Sequence, residues 1–216
     1  FKTAEECSKK YGWKYPIFGE WIGDEPDDQV VQIRTGNWQR KLLDIPLKDY
    51  LEFLGYYISE GNSWFLRNNR NKPMYRVKIT QSAEKNALTY SKIKACIDRM
   101  GFRYYQCPTQ FEISCKDLFE KVHPLGLCDK KFIPLEFKNL TRPYLRILFD
   151  SLMEGDGYLN TSNGGYVYHY TTTSYQLASD VQEISLKLGY GSSLIKKADR
   201  TSIGYIRGRP IRGALP

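Results

Sequence analysis

Two carboxylates stand at matching places in the chain: Glu60 and Asp156, each followed by a glycine and each closing a stretch with helical spacing. The later stretch, Leu148-Phe-Asp-Ser-Leu-Met-Glu-Gly-Asp-Gly157, carries the small residues Ser151 and Gly155 four positions apart. The earlier one, Phe53-Leu-Gly-Tyr-Tyr-Ile-Ser-Glu-Gly61, carries Gly55 and Ser59 at the same spacing. Residues i and i+4 share a helical face, so each stretch offers a nearly bare strip that a second backbone can approach. The simplest partner for each strip is the other. Packed together, the helices bring both acids to their C-terminal ends, where the macrodipole already disfavours negative charge. That arrangement asks for cations.

Each acid needs a helix that ends on it and a frame that holds the helix. In the first unit Asp44 is expected to cap, Pro46 to occupy the first turn and Gly61 to stop the helix. Ser63–Arg67 and Met74–Thr80 read as a hairpin around the polar tip Asn68-Asn-Arg-Asn-Lys-Pro73. A helix with Leu88, Ile93, Cys96, Ile97 and Met100 on its apolar face follows, closed by Gly101. A second hairpin, Phe102–Cys107 with Gln110–Ser114, and a short helix over Lys116–Val122 complete the order αββαββα.

The second unit starts near Thr141, a candidate cap, with Pro143 in the first turn. Leu159-Asn-Thr161 and Tyr166–Thr172 flank the turn Ser162-Asn-Gly-Gly165. Ser174–Tyr190 then reprises Ser82–Phe102, down to Leu188-Gly189 against Met100-Gly101. Ser193–Lys197 and Ser202–Ile206 read as strands, with no closing helix after them. Ahead of both units, residues 1–45 read as an irregular prefix with apolar Trp13, Tyr15, Ile17, Phe18 and Trp21, an acidic loop at Asp24–Asp28 and a strand-like run at Val30–Ile33.

The 216 residues carry a net charge of +8. Residues 1–50 hold 8 Lys/Arg against 9 Asp/Glu, which leaves 24 against 15 for the part with the two acids. A basic, aromatic-rich surface suits polyphosphate. Five scattered cysteines without a C-x-x-C pair read as reduced thiols rather than structural zinc. No run approaches eighteen apolar residues, so the expectation is a soluble, intracellular chain without a membrane partner.

The two acid-glycine stretches resemble the paired motifs of the LAGLIDADG homing endonucleases, and the resemblance extends over residues 45–206. It implies an α+β fold of two pseudo-symmetric αββαββα units, with the motif helices packed at the interface and two antiparallel sheets forming a DNA-binding saddle. The first unit spans 46–138 and the second 139–216. The implied reaction is site-specific double-strand cleavage by a monomer on a long, asymmetric DNA target, one nick per unit. Glu60 and Asp156 are then metal ligands, and oxygen donors suit Mg²⁺, with Mn²⁺ as substitute, better than zinc. Glu60 departs from the family's usual aspartate by one methylene. The Gly19-Glu-Trp-Ile-Gly23 stretch also resembles the segment ahead of the endonuclease in large inteins, although no splicing residues can be placed.

Further residues transfer singly from the resemblance. Lys131, in Lys130-Lys131-Phe-Ile-Pro134, matches a lysine that the family places near the metal site. Gln81 matches a polar residue that orders active-site water, with Thr173 in the comparable place of the second unit. DNA reading falls to the hairpins, since a β-ribbon fits the major groove. That nominates Arg67, Arg70, Lys72, Arg76 and Lys78 in the first unit, and Tyr166, Tyr168, Tyr170, Lys196, Lys197 and Arg200 in the second. The alternative is a catalytically silent DNA- or RNA-binding protein of the same fold, such as a maturase or regulator.

Overall fold

A computed structural model of the chain describes residues 20–36, 41–161 and 166–196, with the backbone of 204–206 and 209–211. The chain enters as an antiparallel ribbon of β1 (Val30–Arg34) and β2 (Leu42–Pro46), paired from Val30↔Pro46 to Arg34↔Leu42. Ile33, Leu43 and Ile45 are buried, as the alternation of a half-buried strand requires. Helix α1 (Leu47–Glu60) follows without a loop. Asp44 does not cap it. That residue sits inside β2, where its carboxylate accepts from Gln32 Nε2 at 3.0 Å, and Pro46 takes the N-cap position. The stretch expected to be an irregular prefix therefore includes a ribbon continuous with the first helix, while Trp13, Tyr15, Ile17 and Phe18 lie outside the described residues.

The rest of the first unit follows the expected order: β3 (Gly61–Arg67), β4 (Pro73–Thr80), α2 (Ala87–Met100), β5 (Tyr104–Cys107), β6 (Gln110–Ile113) and α3 (Lys116–Val122). The strands make one antiparallel sheet in the order β3-β4-β6-β5. Ser63, Val77, Ile79, Phe111 and Ile113 bury its helix-facing side. Leu88 is 71% exposed, because the apolar face of α2 runs through Tyr90, Ile93, Cys96, Ile97 and Met100 instead. Gly101 closes that helix at φ 77°, a left-handed conformation that glycine adopts without strain.

A linker helix, α4 (Leu135–Lys138), leads to the second unit, α5 (Arg142–Asp156), β7 (Gly157–Asn160), β8 (Val167–Tyr170) and α6 (Tyr175–Lys187). Ser174 caps α6, accepting from Leu177 N at 3.1 Å. Thr141 occupies the N-cap of α5, but its hydroxyl makes no capping bond and is buried without a partner among the described residues. The turn at 162–165 falls outside the described residues. No strand forms over 191–196, and β9 (Gly204–Ile206) pairs with β10 (Arg209–Ile211) in a separate ribbon. Among the described residues the second unit thus repeats αββα and carries a two-stranded sheet where the first has four strands.

The two units meet where α1 lies against α5, and the fit is crossed. A Cβ placed on Gly55 would stand 1.9 Å from Ser151 Oγ, and one on Gly155 would stand 2.4 Å from Ser59 Cβ. Each glycine receives the serine of the opposite helix, as a pseudo-two-fold axis demands. Ser59 Oγ adds a bond across the interface, donating to Leu152 O at 3.3 Å. Leu51, Leu54, Leu148 and Leu152 close around the contact, each fully buried.

The linker between the units is tied down by ions. Lys138 Nζ lies 2.8 Å from Asp180 Oδ1 and 2.9 Å from Glu183 Oε2, while Asp180 Oδ2 accepts from Ile133 N at 2.8 Å. Lys187 Nζ donates to Lys138 O at 2.8 Å and sits 4.0 Å from the centre of the Trp21 ring. Trp21 in turn donates to Leu140 O at 2.9 Å. Replacing Gly55 by alanine is expected to cost about 1–3 kcal/mol in denaturant unfolding through overpacking. Adding Ser151→Gly should recover most of that loss, since the clash is with the Ser151 hydroxyl; an additive double variant would place the strain elsewhere.

Candidate metal and nucleic-acid site

Helix α1 ends on Glu60 and α5 on Asp156, and each runs straight into a strand through its glycine. Gly61 and Gly157 are extended, at φ −94° and −97°, so neither is there for a left-handed turn. They are there for space: a Cβ on Gly61 would stand 2.5 Å from Tyr57 O, and one on Gly157 2.7 Å from Met153 O. Because no loop intervenes, helix end, acid and strand register form one rigid unit. The crossed packing then sets the acids side by side, with Glu60 Cγ 3.7 Å from the place a Gly155 Cβ would occupy.

The electrostatics follow from that placement. Burial pushes the Glu60 carboxyl up to about 7; neighbouring Asp156 adds to the rise and Lys131 opposes it. Asp156 stands at the more open rim, yet the protein around it still raises its carboxyl, against Lys131. Neither helix has a basic residue in its last turn. Two half-desolvated acids at helix C-termini form a hard-oxygen site that lacks positive charge.

Lys131 supplies one cation from a distance. It is 6% exposed, and its ammonium donates to Tyr57 O at 3.1 Å, Gly61 O at 2.8 Å and Ser59 O at 3.4 Å, as well as to Ile58 O. The ammonium therefore caps the C-terminus of α1, satisfying carbonyls that the helix leaves open. Burial lowers its pKa, while Asp156, Cys128 and Glu60 raise it. Its backbone is held by the second unit, since Ser174 Oγ donates to Lys131 O at 2.6 Å.

Gln81 continues β4 two residues beyond Ile79, which pairs with Gly61, so it shares the helix-facing side and the end of the sheet where Glu60 lies. It is 6% exposed. Its Oε1 accepts from Ser82 N and Asn86 Nδ2, and its Nε2 is buried with no partner among the described residues. A second orphan, Asn62 Oδ1, lies just after Gly61 and gave no signal in the sequence. Thr173 has no strand register. The residue at the matching distance beyond Tyr170 is Thr172, whose Oγ1 accepts from Ser174 N at 3.1 Å.

Strand alternation divides the nucleic-acid candidates. On the first sheet the face away from the helices carries Asn62, Trp64, Arg76, Lys78, Glu112 and Tyr105. Arg76 is ion-paired to Glu112 at 3.2 Å, and Lys78 sits 5.4 Å from the Trp64 ring centre. Arg67 has the opposite parity and lies over Phe65, bonded to Asn71 at 3.3 Å. Arg70 and Lys72 belong to the exposed hairpin tip, their amides bonded to Asn68 Oδ1. On the second hairpin Tyr168 and Tyr170 also turn towards the helices, and Tyr168 meets Phe149 edge-on at 6.0 Å. The outer face instead carries Tyr158 and His169, stacked across the strands at 4.7 Å, while Tyr166 is exposed ahead of β8. Lys196 is exposed beyond α6, and Lys197 and Arg200 lie outside the described residues.

A cleft of about 1090 Å³ opens beside Leu47, Tyr50 and Leu54, at the other end of α1 from Glu60, with Asp24, Asp27, Asp28 and Glu136 in its walls. No described helix is long and apolar enough to cross a membrane.

Comparison with known proteins bears on the same elements. The chain is 27% identical, over 95% of its length, to an "ATP-dependent Clp protease proteolytic subunit" of Chlamydomonas moewusii, and it spans only 21% of that protein. Solved structures of I-DmoI align weakly. Its complex with DNA and Mn gives a TM-score of 0.40 at 18% identity, covering 66% of this chain and 78% of that one. Mesophilic variants of the homing endonuclease I-DmoI give 0.41 at 17%, covering 66% and 74%. Residues 143–209, which take in α5, β7, β8 and α6, match the family model of the LAGLIDADG-like domain. The second unit of this chain thus matches the LAGLIDADG-like domain over both its helices and the hairpin between them, and the first unit, with α1 ending on Glu60-Gly61, has the same order of elements.

Proposed function

We propose that the chain is a site-specific double-strand DNA endonuclease that hydrolyses phosphodiesters with divalent metal ions. The observation that carries this reading is the crossed seating of α1 on α5, which delivers Glu60 and Asp156 together to the end from which both sheets spread. The donor set fits a hard cation. Two carboxylates would suit Mg²⁺ or Mn²⁺, ions that keep waters and share phosphate oxygens. Such an ion, when bound, activates water and neutralises charge on the phosphate.

The protein's own part is to hold the two carboxylates rigidly at helix ends, to keep the α1 terminus neutral through Lys131, and to present the unpaired Gln81 amide for water or phosphate. The outer faces of the hairpins would lie in the groove, with Arg76 and Lys78 on one side and Tyr158 and His169 on the other, and the tip residues Arg70 and Lys72 and exposed Tyr166 would extend the contact. Unlike halves imply a long, asymmetric target bound by a monomer. The relative's far greater length fits a segment carried inside a host protein, as the intein-like stretch at Gly19–Gly23 also implies. Such a setting is intracellular.

Cleavage of a randomised DNA library in Mg²⁺ tests the reading. Defined cuts are expected from the wild type, and Asp156→Asn should lower the rate at least about 10²-fold, as for other transition-state charge stabilisers, with DNA affinity in Ca²⁺ retained. Selective binding without cuts under any divalent ion would instead establish the silent DNA-binding alternative. The pH dependence has a definite sign. The folded Glu60 carboxyl holds its proton up to about 7, above its ordinary 4.5, so its contribution to stability is complete below about pH 4.5 and lost as pH rises to about 7. Thermal unfolding in EDTA should show that decline, and Glu60→Gln should flatten it; a slope untouched by the substitution would refute the assignment. Lys131→Met should lose about 2–3 kcal/mol of stability by stripping charge-assisted bonds from the α1 carbonyls, read in the same unfolding assay.

A further inference from the structure

Tyr170 ends β8 opposite Gly157, the residue after Asp156. In the first unit the corresponding place, opposite Gly61, is held by Ile79, buried and wholly apolar. The phenol thus has no pseudo-symmetric counterpart. It reaches across the unit boundary to α1, where its hydroxyl lies 3.5 Å from Ser59 Oγ. That distance is at the outer limit of a hydrogen bond, and the Ser59 proton is already directed to Leu152 O. A largely buried tyrosine hydroxyl ordinarily finds a good acceptor, and among the described residues this one has only a long contact. The charged groups that face it are Glu60 from the end of α1 and Asp156 from the end of α5.

We propose that Tyr170 is a positioning residue of the acid pair, its O–H donated to an oxygen, of water or of phosphate, that sits between Glu60 and Asp156. This rests on the nuclease reading above. Burial and the two carboxylates hold the phenol well above its ordinary pKa, so it stays a proton donor throughout the working range and cannot serve as a base. Its contribution is direction: with the proton fixed on the phenol, the bound oxygen must turn a lone pair towards Tyr170 and its remaining valences towards the carboxylates or the metal.

The test compares wild type, Tyr170→Phe and Ser59→Ala in three readouts: melting temperature in EDTA, Mn²⁺ affinity by calorimetry without DNA, and Mg²⁺ dependence of single-turnover cleavage on the target recovered with the wild type. Tyr170→Phe is expected to melt with the wild type while its Mn²⁺ dissociation constant and half-saturating Mg²⁺ rise about threefold to tenfold, the worth of one hydrogen bond. Ser59→Ala, which removes the 3.5 Å contact together with the bond to Leu152 O but leaves the phenol in place, should leave both constants at the wild-type value. Wild-type cleavage with unchanged metal dependence in Tyr170→Phe would overturn the inference and leave the nuclease standing. So would an equal loss in Ser59→Ala, because the phenol would then act only through that serine. A wild type that neither cuts nor binds Mn²⁺ would overturn both.

Discussion

The structure depends on one close contact, the seating of the Ser151 side chain on Gly55 and of the Ser59 side chain on Gly155. At 1.9 Å from an imagined Cβ, the first contact leaves no tolerance for any residue but glycine. The close approach lets Leu51, Leu54, Leu148 and Leu152 bury fully around it, and the dense packing of a protein interior then makes the helix pair stiff. Stiffness matters because the acids are the last residues of these helices. Any slip along the interface would separate Glu60 from Asp156, and a cation bound between them would have little else to hold it.

That same contact concentrates like charge, and the linker supplies the first compensation. Lys131 caps α1 with its ammonium while its carbonyl accepts from Ser174, the N-cap of α6. One residue therefore joins the C-terminus of the first motif helix to the N-terminus of a second-unit helix. Asp180 continues the tie by bonding Ile133 N and Lys138, and Lys187 reaches from α6 back to Lys138 O under Trp21. These ions are costly to bury alone but are fully bonded here, which favours one arrangement of linker and helix over slipped alternatives.

Much of this was legible because it is periodic. Small residues four apart, two hairpins with polar tips and the reprise of Ser82–Phe102 at Ser174–Tyr190 each follow from helical or strand spacing, and the structure forms all of those elements. What failed was phase and distance. Leu88 is one residue inside the start of α2 at Ala87, where the buried face has yet to begin. Asp44 looked like a cap because its pairing with β1 is a tertiary fact. Tyr168 and Tyr170 were assigned to the outer face because the strand phase could not be read from the tyrosines; it is set by Gly157 joining β7 directly to α5. Lys131 meets its four carbonyls across 70 to 74 residues, a separation over which spacing carries no information.

The departures from symmetry are as informative as the symmetry. Register equates Glu60 with Asp156, Asn62 with Tyr158, Lys78 with His169 and Ile79 with Tyr170. The backbone plan is shared, so these pairs differ in chemistry while agreeing in position. The first side offers amide and ammonium groups, suited to guanine edges and phosphate, whereas the second offers aromatic faces and hydroxyls. A duplex lying across both would meet unlike surfaces in its two halves and unlike surroundings at its two strands. On the proposed nuclease reading, such a pair of half-sites would select an asymmetric target and cut its strands at unequal rates.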